Sequence, residues 1–241
     1  GGDELYLVFR GSCNLENFLT DIDYHDPEGD YLASYVAETG VPLPRSALVH
    51  RGFLEVWREL RGPVLEALEP LMAGSPLAGK PKLKLFVTGH SMGGAIGQLA
   101  SLELRHRFGQ AALARASPKA VPLQVARHLG SMAKLSPLSR YGVHCTYTFA
   151  APRLGNRDFA EAYSQSFPHE ADHWAVQALT DAVPHLPFAA WGFMHPEGVL
   201  VLGDESCTPR VRLGDRGDDV SLLRPKEGRI VNWAMSHDME N

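Results

Sequence analysis

The sequence predicts a single α/β domain built on a mainly parallel sheet, and three observations carry that prediction. Short apolar runs alternate with segments whose apolar residues recur at helical spacing, the pattern of strands joined by helical crossovers. In mid-chain, Gly89-His90-Ser91-Met92-Gly93 lies between such a run and such a helix, so a glycine-rich turn links strand to helix. No linker, repeat or low-complexity stretch divides the 241 residues, and a hydrophobic content of 44% supplies one sizeable core.

Taken in order, Glu4–Arg10 (ELYLVFR) reads as a short buried strand ending at Gly11-Ser12. Asn14 then caps a short helix with Leu15, Phe18, Leu19 and Ile22 on one face. Residues 21–30 crowd five acids together. His25 stands where a calcium loop needs an oxygen ligand and no closing glutamate follows, so the stretch reads as a solvated acidic loop. Tyr31–Glu38 and Phe53–Met72 read as helices. The second carries Phe53, Val56, Trp57, Leu60, Val64, Leu65, Leu68 and Leu71 as its apolar face, with a kink expected at Pro63. Leu83–Val87 is a buried strand, and from Met92 a helix runs through Ala95, Ile96, Leu99, Ala100, Leu102 and Leu104. A basic connection with a helical piece is expected at about 109–142. His144–Ala150 and His173–Leu179 are further strands with a helix over Asn156–Gln165 between them. Gly198–Leu202 is a strand, Asp204–Arg229 a polar loop, and Ile230–Ser236 leads into His237.

Chemistry concentrates at the mid-chain turn. Glycine at 89 and 93 lets a strand turn sharply into a helix, which lifts the Ser91 hydroxyl clear of the sheet. The helix starting at Met92 points free N–H groups at the same place, which favours an anion there. A serine hydroxyl is a weak nucleophile at neutral pH, so Ser91 needs a base and a carboxylate to orient that base. Functional groups of parallel sheets collect at the carboxyl ends of strands. Asp181 directly follows a strand there, whereas Asp172 precedes the same strand and belongs to the opposite edge. Of the histidines after Asp181, His185 lies in the same loop and His195 reads as structural; His237, beyond the recognisable strands, is the candidate base. His90, held on the turn itself, is badly placed to take the serine proton. The oxyanion donors would be the Met92 N–H and a group on the turn at Gly11-Ser12, with the Ser12 hydroxyl adding a bond.

With these residues in place the chain resembles the class 3, or fungal-type, lipases of the α/β-hydrolase fold. LVFRGS is similar to the family's oxyanion strand and SCNLENFL to its lid. VHRGF precedes the helix before the nucleophile strand, and VTGHSMGGA is the nucleophile elbow. YTFAAPRLGNRDFA, TDAVPHLP, FMHPEG and SHDMEN follow in family order. The resemblance implies a sheet with helices on both faces, a triad of Ser91, Asp181 and His237, oxyanion donors at Ser12 and Met92, and a lid carrying Leu15, Phe18, Leu19 and Ile22. It implies hydrolysis of lipid carboxylic esters through an acyl-enzyme, acylglycerols first, with no cofactor and no metal. Phospholipase A1 or galactolipase action, acyl transfer to another alcohol, and a non-catalytic scaffold are the alternatives. The family's N-terminal segment has no counterpart before LVFRGS, and the chain stops four residues after His237, which reads as a chain lacking the N-terminal part of the fold.

Composition bounds the partners. A formal charge of −5 argues against nucleic acid as a partner, and no apolar run is long enough to span a membrane. Cys13, Cys145 and Cys207 are too few and too scattered for a disulfide framework; free thiols or a single bridge fit them. No charged-then-apolar leader precedes the first strand, so either there is no signal peptide or the native start lies upstream. Between Pro70 and Arg157 twelve lysines and arginines face one acid, Glu103. Within that block residues 119–135 have the make-up of an interfacial helix, and peripheral contact with an anionic lipid surface is expected there.

Overall fold

The computed structural model describes residues 4–11, 30–73, 83–116, 143–167, 172–178, 180–202 and 210–212. Its centre is a six-stranded sheet. In chain order the strands are β1 (Glu4–Phe9), β2 (Lys84–His90), β3 (Val143–Phe149), β5 (His173–Ala178), β7 (Val199–Leu202) and β8 (Arg210–Arg212). They lie side by side in that same order, the first five parallel and β8 antiparallel to β7. Gly155–Asn156 (β4) and Phe193–Met194 (β6) form a separate antiparallel pair.

Among the described residues four helices serve as crossovers or their parts: α1 (Asp30–Thr39), α2 (Arg51–Ala73), α3 (Met92–Ala116) and α4 (Arg157–Ser166). Each parallel strand is placed on the same side of its predecessor. Right-handed crossovers that always step in one direction lay their helices on one face. That is what the core shows: Leu5, Leu7 and Phe9 of β1, Leu85 and Val87 of β2 and Val143 of β3 meet Tyr35, Phe53, Trp57, Leu99, Phe159 and Tyr163 from the helices. Phe9 meets Trp57 edge-on at 6.0 Å. On the opposite face Tyr6, Val8, Tyr147 and Phe149 are exposed, and no helix of that face is among the described residues.

Several local expectations are revised. Glu4–Phe9 is a strand, but an edge strand buried on one face only, so Tyr6 and Val8 are not core. The second helix contains Pro70 as well as Pro63, and Leu60 and Leu71 of its expected apolar face are exposed. The helix after Ser91 continues to Ala116, taking up the first residues expected in the basic connection. The remainder, 117–142, lies outside the described residues. Arg210–Arg212, read as loop, pairs with β7.

Burial of polar groups explains how the helices are fixed to one another. Glu103, buried on α3, accepts from Tyr35 Oη (2.9 Å), Trp57 Nε1 (2.9 Å) and Arg61 Nη2 (2.6 Å). One carboxylate thereby joins α1, α2 and α3. Removing one partner of a buried ion pair leaves an uncompensated charge, so Arg61→Met is expected to lower unfolding free energy by about 3 kcal/mol. Urea unfolding of the two proteins measures it. A second pair, Arg105 Nη2 with Asp172 Oδ2 at 3.0 Å, is buried beneath the start of β5, with the guanidinium over the Phe167 ring at 4.5 Å.

His173, the first residue of β5, is buried edge-on to Tyr163 and has its Nδ1 3.0 Å from the Glu197 carbonyl. Desolvation pushes its pKa from the ordinary 6.5 down to about 4, against the opposing effect of that hydrogen bond. Between these values the unfolded chain binds a proton that the fold does not. The contribution is therefore complete above pH 6.5 and is lost as pH falls toward 4, up to on the order of 3 kcal/mol. His173→Gln should lose less stability than the parent between pH 7 and pH 4.5, read from urea midpoints.

Candidate functional site

Two chain crossings build the turn at Ser91. Strand β2 buries Leu85, Val87 and Gly89, and the chain leaves the sheet at His90, which pairs with Phe149 of β3. Ser91 has φ 55, a left-handed conformation that a residue with a Cβ adopts only when its surroundings hold it there. Its N–H donates to the Phe149 carbonyl at 2.9 Å, and its carbonyl accepts from Gly94 N at 2.9 Å, opening α3. The two glycines of the turn are dictated by backbone contact. A Cβ on Gly89 would lie 2.3 Å from the Gly93 carbonyl oxygen, and one on Gly93 would lie 2.3 Å from that of Phe9. Helix α3 is thus seated directly on the end of β1.

This seating brings the turn after β1 to the serine. An ideal Cβ on Gly11 would lie 3.3 Å from Ser91 Cβ. The residue expected to donate from that turn, Ser12, lies outside the described residues. Met92, the other expected donor, is the first residue of α3, where helix N–H groups are free. Ser91 is 1% exposed and its Oγ has no hydrogen-bond partner among the described residues.

Asp181 sits past the carboxyl end of β5, one strand beyond β3, and is 1% exposed. Its N–H donates to the Ala178 carbonyl at 3.1 Å, and its Oδ1 accepts from Val183 N at 2.9 Å. That bond closes an Asx-type turn and leads into the short helical turn Val183–His185. Asp172 is at the other end of β5, engaged with Arg105, so the two aspartates are separated by the length of the strand as expected. Ser91 and Asp181 therefore share the carboxyl edge of the sheet. His237 and the lid residues Leu15, Phe18, Leu19 and Ile22 lie outside the described residues.

The loop carrying Asp181 is held from beneath by two side chains. Arg153, buried in the loop after β3, donates from Nη1 to the His185 carbonyl and, at 3.1 Å, to that of Pro187, while its N–H donates to Leu186 O at 2.7 Å. His195 Nε2 lies 2.7 Å from the Pro184 carbonyl, which makes that nitrogen the donor. Four successive carbonyls, from Pro184 to Pro187, are thus taken up by Arg153 and His195. The sequence reading missed Arg153. The available signal was a lone cation between an uncharged strand and the Asn156 cap, in a position that buries it. Asn156 itself accepts from Phe159 N and Leu48 N and donates to Ser46 O, tying the loop before α2 to α4. His90 is half-buried at the end of β2 and His185 is buried in the acid loop. Cys145 is a buried thiol that forms no disulfide among the described residues. Among the described residues no group of His, Cys, Asp or Glu clusters as metal ligands, and no helix is long and apolar enough to cross a membrane.

A strained serine between a parallel strand and a helix, with a buried aspartate two strand positions away on the same edge, defines the α/β-hydrolase architecture. Within it the chain belongs to the class 3 lipase family, whose model matches residues 6–191. Relatives include a secreted mono- and diacylglycerol lipase of Fusarium solani, 27% identical over 80% of this chain and 42% of its own length. A lipase of Rhizomucor miehei is 30% identical over 90% of this chain and 48% of its own. Among solved structures, lipase II from Rhizopus niveus superposes with TM-score 0.59 at 23% identity, covering 92% of this chain and 67% of that one. A triacylglycerol lipase whose catalytic centre is a serine-protease triad gives TM-score 0.56 at 24% identity, over 92% of this chain and 67% of the other. The chain spans about half the length of the curated relatives it matches.

Proposed function

We propose that the protein hydrolyses carboxylic esters of lipids, with acylglycerols as the substrate class, through an acyl-enzyme on Ser91. The observation that carries the reading is the Ser91 turn: a positive-φ serine seated by glycine contacts on the end of β1, on the sheet edge that also bears buried Asp181. In this mechanism Ser91 Oγ attacks the ester carbonyl carbon as His237 takes its proton, and Asp181 orients and stabilises the resulting imidazolium. The oxyanion is met by the Met92 N–H and by Ser12. Collapse of the intermediate breaks the ester C–O bond, and His237 returns the proton to the departing alcohol. Water then attacks the acyl-enzyme by the same proton relay, releasing the acid and restoring Ser91. Membership in a family with relatives named mono- and diacylglycerol lipases supports the substrate class.

The test is a hydrolysis panel of p-nitrophenyl esters of rising chain length, emulsified mono-, di- and triacylglycerols, and phospholipids, with fluorophosphonate labelling in parallel. Labelling at Ser91 together with acylglycerol turnover is expected. A protein that takes no label and cleaves none of these esters would be a scaffold, and the reading would fail.

A further inference from the structure

We infer that the turn Phe188–Gly192 is a rigidly mounted docking tip whose two aromatic rings enter a lipid surface and bring the Ser91 edge of the sheet onto it. The inference rests on the proposed lipid-ester activity for its partner, and on geometry for its place. Phe188 is 42% and Trp191 49% exposed, their rings edge-to-face at 5.0 Å. Phe188 follows Pro187, whose carbonyl is held by Arg153 of the loop past the carboxyl end of β3, so the turn is mounted from the sheet edge that carries the candidate site. Among the described residues the other exposed aromatics, Tyr6, Tyr147 and Phe149, are on a sheet face.

Three features separate this turn from an ordinary surface loop. From Ala182 to Pro196 the chain carries no Asp, Glu, Lys or Arg, so nothing on it resists leaving bulk water as a charge would. The turn is anchored at both ends: the Pro187 carbonyl is held by buried Arg153, and Phe193 is buried with its strand paired to Gly155–Asn156. Its own backbone is partly self-satisfied, Trp191 N donating to Phe188 O and Gly192 N to Ala189 O, both at 2.9 Å, with Gly192 at φ 87 closing the turn. A tip with paired N–H groups and aromatic side chains suits the interfacial layer of a lipid, where indole places its ring among apolar groups and its N–H at head-group depth. Because the tip is uncharged, the surface it fits is a neutral one. This separates it from docking through the basic segment at 119–135, which would demand anionic lipid.

Sedimentation with phosphatidylcholine vesicles tests it, using the full chain carrying Ser91→Ala so that no lipid is consumed. Binding is expected, unchanged by raising salt, and weaker by roughly tenfold or more when Phe188→Ser and Trp191→Ser are added, since the half-exposed faces of two aromatic rings are lost from the contact. Trp191→Phe, which keeps an apolar ring, should retain most of the binding and guards against a serine variant that fails to fold. With Ser91 intact, Phe188→Ser/Trp191→Ser should slow hydrolysis of an emulsified ester while leaving a water-soluble acetate ester within about twofold. No binding by the parent, equal binding by the serine variant, binding only to anionic vesicles with loss in salt, or equal loss on the soluble ester would each overturn the tip. Failure of the proposed activity shows separately, as absent ester turnover in the parent, and leaves the vesicle measurement readable.

Discussion

Ser91→Ala is expected to reduce ester hydrolysis by about 10⁴- to 10⁶-fold, the range seen when the nucleophile of such a triad is removed. The folded state should survive it. Ser91 Oγ makes no hydrogen bond among the described residues, and alanine meets the same backbone demand at φ 55 as serine does. Thermal unfolding of the variant should stay close to the parent, and Ser91→Gly should be more stable by up to about 1 kcal/mol because glycine relieves the left-handed strain. Substantial turnover by a folded Ser91→Ala protein would end the serine-hydrolase reading.

The second large effect distinguishes the two ends of β5. Asp181→Asn keeps the side chain's shape and an oxygen for the Val183 N–H, but removes the charge that stabilises a histidine cation. A loss of about 10⁴ in kcat with little change in unfolding free energy is expected, by analogy with the serine-protease aspartate. Asp172→Asn should do the opposite. It leaves the buried Arg105 guanidinium without its counter-charge, at a cost of about 3–5 kcal/mol, while turnover per folded molecule stays near the parent's. Urea unfolding and kcat, measured on both variants, separate the roles. If Asp172→Asn proved to be the variant that loses turnover in a stable fold, Asp181 would be displaced from the proposed mechanism.

Local periodicity was a good guide wherever an element's identity depended on its own residues. The helix expected over Tyr31–Glu38 runs Asp30–Thr39, and the one over Phe53–Met72 runs Arg51–Ala73. The strand, turn and helix around Ser91 were legible because two glycines and an apolar run leave the backbone few alternatives. What could not be read depended on residues far away in sequence. Arg210–Arg212 is a strand by pairing with β7, and its Arg-Val-Arg alternation is too short to distinguish from the polar loop around it. Tyr6 and Val8 make β1 look apolar on both faces, although only one face meets the helices. Glu103 looked like a stray acid in a basic stretch, since Tyr35, Trp57 and Arg61, which surround it, lie 68, 46 and 42 residues away. Arg153 escaped notice for the same reason, its acceptors being carbonyls thirty-two and thirty-four residues on.

The strict left-to-right order of β1, β2, β3, β5 and β7 has a consequence for how the sheet is made during synthesis. In a doubly wound sheet some strand must wait for a neighbour that the ribosome has yet to deliver, or be inserted between two already placed. Here each described parallel strand docks beside the one before it in the chain, so the crossover between them is finished when its second strand appears. The serine turn, between β2 and β3, can take its strained shape once β3 supplies the Phe149 carbonyl to its N–H. The carboxylate's strand then adds to a turn already set.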